Sequence, residues 1–291
     1  MKILFFILTA TFLPFYVYAW ETCGTDANGD TANCEYQIVN GTLTIRGTGD
    51  NGNIGNWASQ GNNMAPWRTT DAKNIVIENT IKDLGIFGFF NVPGKQINIL
   101  SQTDTIPPYA FAWSDSEKIN IPNSTKSIGQ HAFGWSGLSE INIPDTVEII
   151  DTEAFRGTNL LNVYIPASVK FIGDKAFSSC SLETLTISED TQLGAIFNGY
   201  DFDTVFTNTS NLKIYCTGDT AKCDENLVAA GYPELKSSKA TTKKINGVTY
   251  VYDKNGKLVT SSGHRTEKRI YTLEEANAVA GVKNRISIKY R

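Results

Sequence analysis

From residue 75 onward the apolar and polar positions recur with a period of 22 residues. Six slots, 75–77, 97–99, 119–121, 141–143, 163–165 and 185–187, carry Ile, Val or Leu at their first and third places. The middle places hold Val76, Asn98, Asn120, Asn142, Tyr164 and Thr186. Period-two alternation predicts short strands with the aliphatics turned inward and the middle residue outward. A strand that returns once per repeat must stack in parallel on its predecessor, ~4.8 Å away. One continuous sheet along a solenoid is therefore expected. Pro122, Pro144 and Pro166 should stop their strands, because proline cannot donate to the ladder.

A second apolar column follows at Leu84, Ile106, Ile128, Ile150 and Ile172. Gly85, Gly129 and Gly173 come next, where the backbone is expected to turn with positive φ. Then comes an aromatic column, Phe89, Phe111, Phe133, Phe155 and Phe177, which predicts a spine of stacked buried rings. A single unit cannot bury these faces, so the rungs must stack and both ends need caps. The predicted class is an α/β-type solenoid, mostly β, with 3₁₀ or short helical turns opposite the sheet.

Two stretches carry a resemblance. One is Ile143-Pro144-Asp145-Thr146-Val147 with Ile150 and Ala154-Phe155. The other is Ile165-Pro166 with Val169, Ile172-Gly173 and Ala176-Phe177. Both resemble the BspA-like, or treponemal-type, leucine-rich repeat of bacterial surface proteins. Gly41-Thr42-Leu43-Thr44-Ile45, with Gly47-Thr48-Gly49 and Ala65-Pro66-Trp67, is similar to the lead-in of that family. The resemblance covers roughly residues 35–230. It implies a leucine-rich repeat with a parallel sheet on one face, and an adhesin-like binding protein. The family repeat is usually about 23 residues long, with a cysteine three places after the phenylalanine. Here the turn is one residue shorter and only Cys180 fills that slot, with Ser114, Ser136 and Thr158 in the others.

The ends divide the chain further. Lys2, the apolar run Ile3 to Val17 and the small-residue site Val17-Tyr18-Ala19 read as a secretory signal peptide, residues 1–19, cleaved after Ala19. Residues 20–72 form an N-terminal cap, with a polar excursion from Gly49 to Asn63. The repeats occupy 73–215. Their last rung is lengthened through Val205-Phe206 and Leu212-Lys213-Ile214, after a loop insertion at 188–204. A C-terminal cap follows at 216–235. Residues 236–291 form a tail with a Lys/Ser/Thr linker at 236–244 and a hairpin from Val248 to Val259 that turns at Asn255-Gly256. A capping box at Thr272-Leu273-Glu274-Glu275 opens a short helix, and a final strand is expected at 285–291 beside Arg269-Ile270-Tyr271.

Charge sharpens that division. Residues 1–235 carry 13 basic against 26 acidic side chains, and residues 236–291 carry 13 against 4. An acidic body excludes nucleic acid as a partner, and a basic tail offers electrostatic attachment to an anionic envelope. Cysteine use fits an oxidising compartment. Cys23 with Cys34, and Cys216 with Cys223, can each close a short loop, while Cys180 reads as a small buried hydrophobe.

Candidate chemistry is sparse. The histidines, His131 and His264, belong to no nucleophile or metal constellation, and Asp201 with Asp203 sits in a loop without a cleft. Asp26-Ala27-Asn28-Gly29-Asp30 echoes a calcium loop but lacks its sixth-place glycine, and Gln37 replaces the closing glutamate. No cofactor, metal or catalytic residue is expected, and the chain is read as non-enzymatic. Glycosylation sequons stand at Asn40, Asn123 and Asn208.

Binding candidates are the outward sheet column Asn98, Asn120, Asn142, Tyr164 and Thr186, with Lys118, Glu140, Asn162 and Thr184 beside it. The alternative is an ordinary solvated face. Trp113 and Trp135 share a slot in consecutive rungs and are candidates for an exposed aromatic platform; the alternative is mutual packing that seals the convex side. The expected partner is a protein or a glycan, met at the cell surface or after secretion. A structural envelope protein held by its basic tail is the alternative, and a secreted glycan-active enzyme is a second.

Overall fold

The computed structural model describes residues 19–61, 63–194, 205–206 and 211–262. The expected signal peptide up to Tyr18, residues 195–204 of the expected insertion, His264, Asn208, Asp201, Asp203, and the helix and terminal strand expected after Thr272 lie outside the described residues.

The N-terminal cap is a hairpin: β1 (Glu21–Thr22), β2 (Cys34–Val39) and β3 (Thr42–Gly47) pair antiparallel, and a disulfide joins Cys23 to Cys34. β3 also starts the solenoid, because Leu43 and Ile45 stand in parallel register with Ile75 and Ile77 of β4 (Asn74–Ile77). β5 (Gln96–Ile99), β6 (Lys118–Asn120) and β7 (Glu140–Asn142) continue that ladder with the predicted offset. β8 (Asn162–Tyr164), β9 (Thr184–Ile187) and β10 (Lys213–Cys216) form a second parallel run. The expected single sheet is thus two, because backbone pairing stops between β7 and β8 although the two strands remain adjacent.

At the end of β5 the ladder is completed by a side chain. Asn120 Nδ2 donates to the Ile99 carbonyl at 2.9 Å, and its Oδ1 accepts the Ile99 N–H at 2.8 Å. Pro122 ends backbone pairing there, and the amide supplies the missing partners.

Inside, the aromatic column stacks as expected. Successive centroids from Phe89 to Phe177 lie 5.1, 5.5, 5.2 and 5.2 Å apart, with rings within 12° of parallel. Trp67 closes the top of the spine 5.8 Å from Phe89, and Phe206 and Tyr232 close the bottom. Phe206 comes from the lengthened last rung, and β10 pairs with β9 at a stride of 29 residues, Thr184 to Lys213. The insertion starts later than residue 188, since Gln192–Leu193 still pairs with Phe171–Ile172.

Opposite the first sheet lie tiers of i→i+3 turns, such as Ala110 N–H to Pro107 O at 3.2 Å and Ala112 N–H to Tyr109 O at 3.2 Å. Between these tiers and the sheet runs a ladder of two-residue strands at Thr105–Ile106, Ser127–Ile128, Ile149–Ile150, Phe171–Ile172 and Gln192–Leu193. The Gly49–Asn63 excursion is also tied in. Gly52–Asn53 pairs with Ile81–Asp83, and Ile54 and Trp57 are buried.

The glycine expectation is corrected. Gly85 has φ +66°, but Gly129 and Gly173 are absent from the left-handed region. Their need is space: a Cβ on Gly173 would sit 2.5 Å from Thr152 N, and one on Gly129 would sit 2.9 Å from Ile106 O. The left-handed positions instead form two columns. Phe87, Tyr109, His131, Glu153 and Lys175 make one; Asn91, Trp113, Trp135, Gly157 and Ser179 make the other. Left-handed φ is costly for L-residues. The bonds that offset it run between rungs, for example Tyr109 N–H to Gln130 O at 2.9 Å and Trp113 N–H to Gly134 O at 2.8 Å.

At the C-terminal end, α1 (Thr220–Ala229) is capped by Asp219, whose carboxylate accepts the Ala221 N–H at 2.9 Å. A disulfide from Cys216 to Cys223 ties α1 to β10. The supposed linker is a strand, β11 (Ser237–Ile245), parallel to β10 and antiparallel to β12 (Val248–Asp253). β13 (Leu258–Ser262) completes the predicted hairpin. The first part of the basic tail is therefore fused to the solenoid sheet.

Candidate functional site

The meander β11–β13 changes which face is open. Tyr215 pairs with Ser238, so by alternation Ala240, Thr242 and Lys244 share the outward face of the sheet. Thr242 pairs with Val251 and Lys244 with Thr249, which puts Thr249 and Val251 on that face too. The sheet curls until β13 lies against β8, and Lys244 Nζ meets the Asp145 carboxylate. Thr186 and Val251 are fully buried as a result, and Thr249 nearly so. Burial under this cover raises the pKa of the Tyr164 phenol, with the Asp145 charge adding to it. Ile245, Val248, Tyr250, Tyr252 and Leu258 form a separate small core on the other side.

The predicted sheet-face residues therefore divide into four groups. Thr186 is inaccessible and Tyr164 half-buried, because the meander covers the last rungs. Asn120 is committed to the Ile99 backbone. Lys118 pairs with Glu140 at 2.5 Å, and Thr184 donates to the Asn162 side chain at 2.6 Å. Both of these pairs run across neighbouring rungs in partly or fully exposed positions, and exposed pairs of this kind are worth little. Asn98 is exposed and Asn142 half-exposed on the uncovered part.

Trp113 and Trp135 stand apart from that face, on the tiers of turns. Their rings stack at 5.8 Å and 30°, yet they remain 54% and 40% exposed. Stacking and exposure coexist, so the pair does not seal the surface. Trp135 lies on the next slot of its own column, Gly157: a Cβ there would come within 2.2 Å of the indole. The Arg156 guanidinium sits 5.5 Å from the centre of the Trp135 ring.

Beside the tryptophans runs a feature that the repeat analysis passed over. Phe87 stacks on Tyr109 at 4.8 Å, and Tyr109 on His131 at 4.7 Å. His131 Nε2 is 3.1 Å from Glu153 Oε2, which Arg156 also holds at 2.6 Å. All of these except Arg156 occupy one left-handed column, legible in the sequence as a 22-residue slot but lacking an apolar consensus to flag it.

Burial lowers the His131 pKa; Glu153 opposes that shift and Arg156 adds to it. A native imidazole that holds its proton less tightly than the unfolded chain gives stability that is present above about pH 6.5 and lost as pH falls. Urea midpoints should therefore drop between pH 7 and pH 5 by more in the parent than in His131→Gln. Equal drops in the two proteins would contradict this assignment.

The disulfide candidates fall as the two spacings allow, and Cys180 is buried with its thiol 3.2 Å from Thr158 Oγ1. Burial raises its pKa, away from the thiolate form that reacts. Asp26 offers no open carboxylate for a cation. Its Oδ1 accepts the N–H groups of Asn28 at 2.9 Å and Asp30 at 3.0 Å, and its Oδ2 accepts Asn56 N–H at 2.8 Å. Thr125 of the Asn123 sequon is buried and bonded to the Thr103 carbonyl.

Comparison with known proteins gives the following. The sequence matches the BspA type leucine rich repeat region, in six copies, over residues 67–183 and 126–216, together just over half of the chain. Among solved structures, a leucine-rich repeat protein from Eubacterium ventriosum is 17% identical with a TM-score of 0.39, covering 82% of this chain and 49% of its own. A leucine rich cell surface protein from Faecalibacterium prausnitzii is 24% identical with a TM-score of 0.34, covering 62% and 57%. The pneumococcal vaccine antigen PcpA is 19% identical with a TM-score of 0.42, covering 88% and 60%. The chain thus spans about half the length of the solved structures it matches. No curated protein is significantly similar in sequence. With six matched copies over just over half of its length, the chain belongs to the BspA-type leucine-rich repeat family.

Proposed function

We propose that this chain is an exported, non-enzymatic binding protein, adhesin-like in its mode of action. The observation that carries the reading is the exposed tryptophan pair, held on a rigid ladder at 54% and 40% exposure. Large aromatic side chains left open to water mark interaction sites more often than chance, and tryptophan is enriched among residues that dominate binding energy. Two disulfides are consistent with an oxidising, extracytoplasmic setting.

The recognition surface in this reading is the turn edge of the second to fourth rungs; on the separate sheet face only Asn98 and Asn142 of the outward column stay open. The remainder of the outward column is covered, paired or bound to backbone.

The test is retention of the mature chain on an array of extracellular proteins and glycans and on cultured cells. A Trp113→Ala/Trp135→Ala double variant should lose about tenfold or more in affinity, the loss of roughly 1.4 kcal/mol that one anchor supplies. Its thermal unfolding should stay close to that of the parent. Undiminished retention by the double variant would remove the basis for the reading.

A further inference from the structure

We infer that the tryptophan edge is a subsite for a neutral glycan, a narrowing that rests on the binding function proposed above. Three features point to this chemistry. The first is the one-sided opening of the stack. Trp135 is covered on one side by Gly157 and Arg156 and on the other by Trp113. The slot that precedes Trp113 in its column is Asn91, whose side chain is too short to cover an indole, and Trp113 is the more exposed of the pair. Among the described residues Trp113 stacks on Trp135 alone, and both its ring and Asn91 beside it are exposed. The ring face is electron-rich and attracts the slightly positive C–H bonds of a pyranose, while an amide both donates to and accepts from hydroxyls.

The second feature is rigidity. Trp113 and Trp135 hold left-handed backbone conformations pinned by N–H bonds to Gly134 O at 2.8 Å and Arg156 O at 2.6 Å. A platform ordered in advance loses little entropy on binding, which matters for a ligand that offers only weak contacts.

Charge is the third. The ionic group flanking the edge is internally balanced, with Glu153 shared by Arg156 and His131. The body up to residue 235 carries 26 acidic against 13 basic side chains. Such a field repels sulfated, sialylated or phosphate-rich polymers and leaves uncharged sugars unaffected.

The experiment titrates the mature chain with neutral hexasaccharides built from glucose, mannose, galactose or N-acetylglucosamine, and with a sulfated hexasaccharide, following tryptophan fluorescence. Saturable binding of at least one neutral sugar is expected, with Trp113→Ala weakening it about tenfold or more and Trp113→Phe retaining part of it. Asn91→Ala should weaken the same sugar about threefold or more. No neutral binding, binding that Trp113→Ala leaves unchanged, or preference for the sulfated sugar would each overturn the inference. If the array finds a protein partner lost in the tryptophan variant while no sugar binds, the glycan assignment falls and the binding function stands. Loss of neither kind of partner removes both.

Discussion

Replacing Phe133 by alanine is expected to cost about 3–5 kcal/mol of stability, the range for deleting a fully buried phenylalanine that leaves a cavity. Phe133 is fully buried at the centre of the spine, 5.5 Å from Phe111 and 5.2 Å from Phe155. Its removal takes away two stacking partners at once, and neighbouring rungs cannot close the gap without breaking their own hydrogen bonds to the rungs on either side. A solenoid has only nearest-neighbour interfaces, so weakening one should also divide the unfolding transition. Urea denaturation followed by circular dichroism would measure both effects. Trp113→Ala serves as the control, since a ring more than half exposed contributes far less burial. A cost for Phe133→Ala no larger than for Trp113→Ala would show that the spine is not what holds the rungs together.

Trp67→Ala is the second large effect, also about 3–5 kcal/mol, but with a different spatial signature. Trp67 is fully buried at the top of the spine and touches Tyr36 at 5.7 Å, Trp57 at 6.0 Å and Phe89 at 5.8 Å. Its Nε1–H donates to the Gly88 carbonyl at 2.9 Å, so the variant also strands a buried acceptor. The damage should begin at the N-terminal end. Hydrogen exchange should accelerate first in β3 and β4, with β9 and β10 last. Uniform acceleration along the chain would contradict the role of Trp67 as a plug.

Much of this architecture was legible in the sequence because each rung repeats its physical requirements. The Ile-x-Ile slots name strands, and their spacing sets the register; Thr184, Leu185 and Thr186 meet the strand before them at the predicted offset. The two-residue strands were not legible. Each contributes one inward residue, such as Ile128 or Ile150, and a single residue shows no alternation. Glycine misled in an informative way. Gly129 and Gly173 answer a demand for space, while the left-handed turns are occupied by Tyr109, His131, Glu153 and other residues with side chains, whose N–H groups gain partners in the next rung.

The site was half legible. Equal spacing placed Trp113 over Trp135, and the structure keeps them stacked. The cover over Thr186 and Tyr164 could not be read locally. It depends on contacts such as Lys244 with Asp145, 99 residues apart in sequence. Residues 236–244 looked like a linker because Lys, Ser and Thr dominate there, yet such a composition suits a half-exposed strand, here Ser237–Ile245, whose partners supply the apolar side. Asn120 shows a further limit: an asparagine in an outward column reads as surface chemistry, and only the end of a ladder at proline turns its amide into backbone repair.

Covalent footprinting of the chain with and without a partner captured on the array tests the central claim most directly. Oxidation of Trp113 and Trp135 would be read against amine and carboxyl labelling of Lys118 and Glu140 on the sheet. Recognition through the turn edge predicts protection of both tryptophans, strongest at Trp113. Protection confined to Lys118 and Glu140, with the tryptophans oxidised as in the free protein, would contradict it.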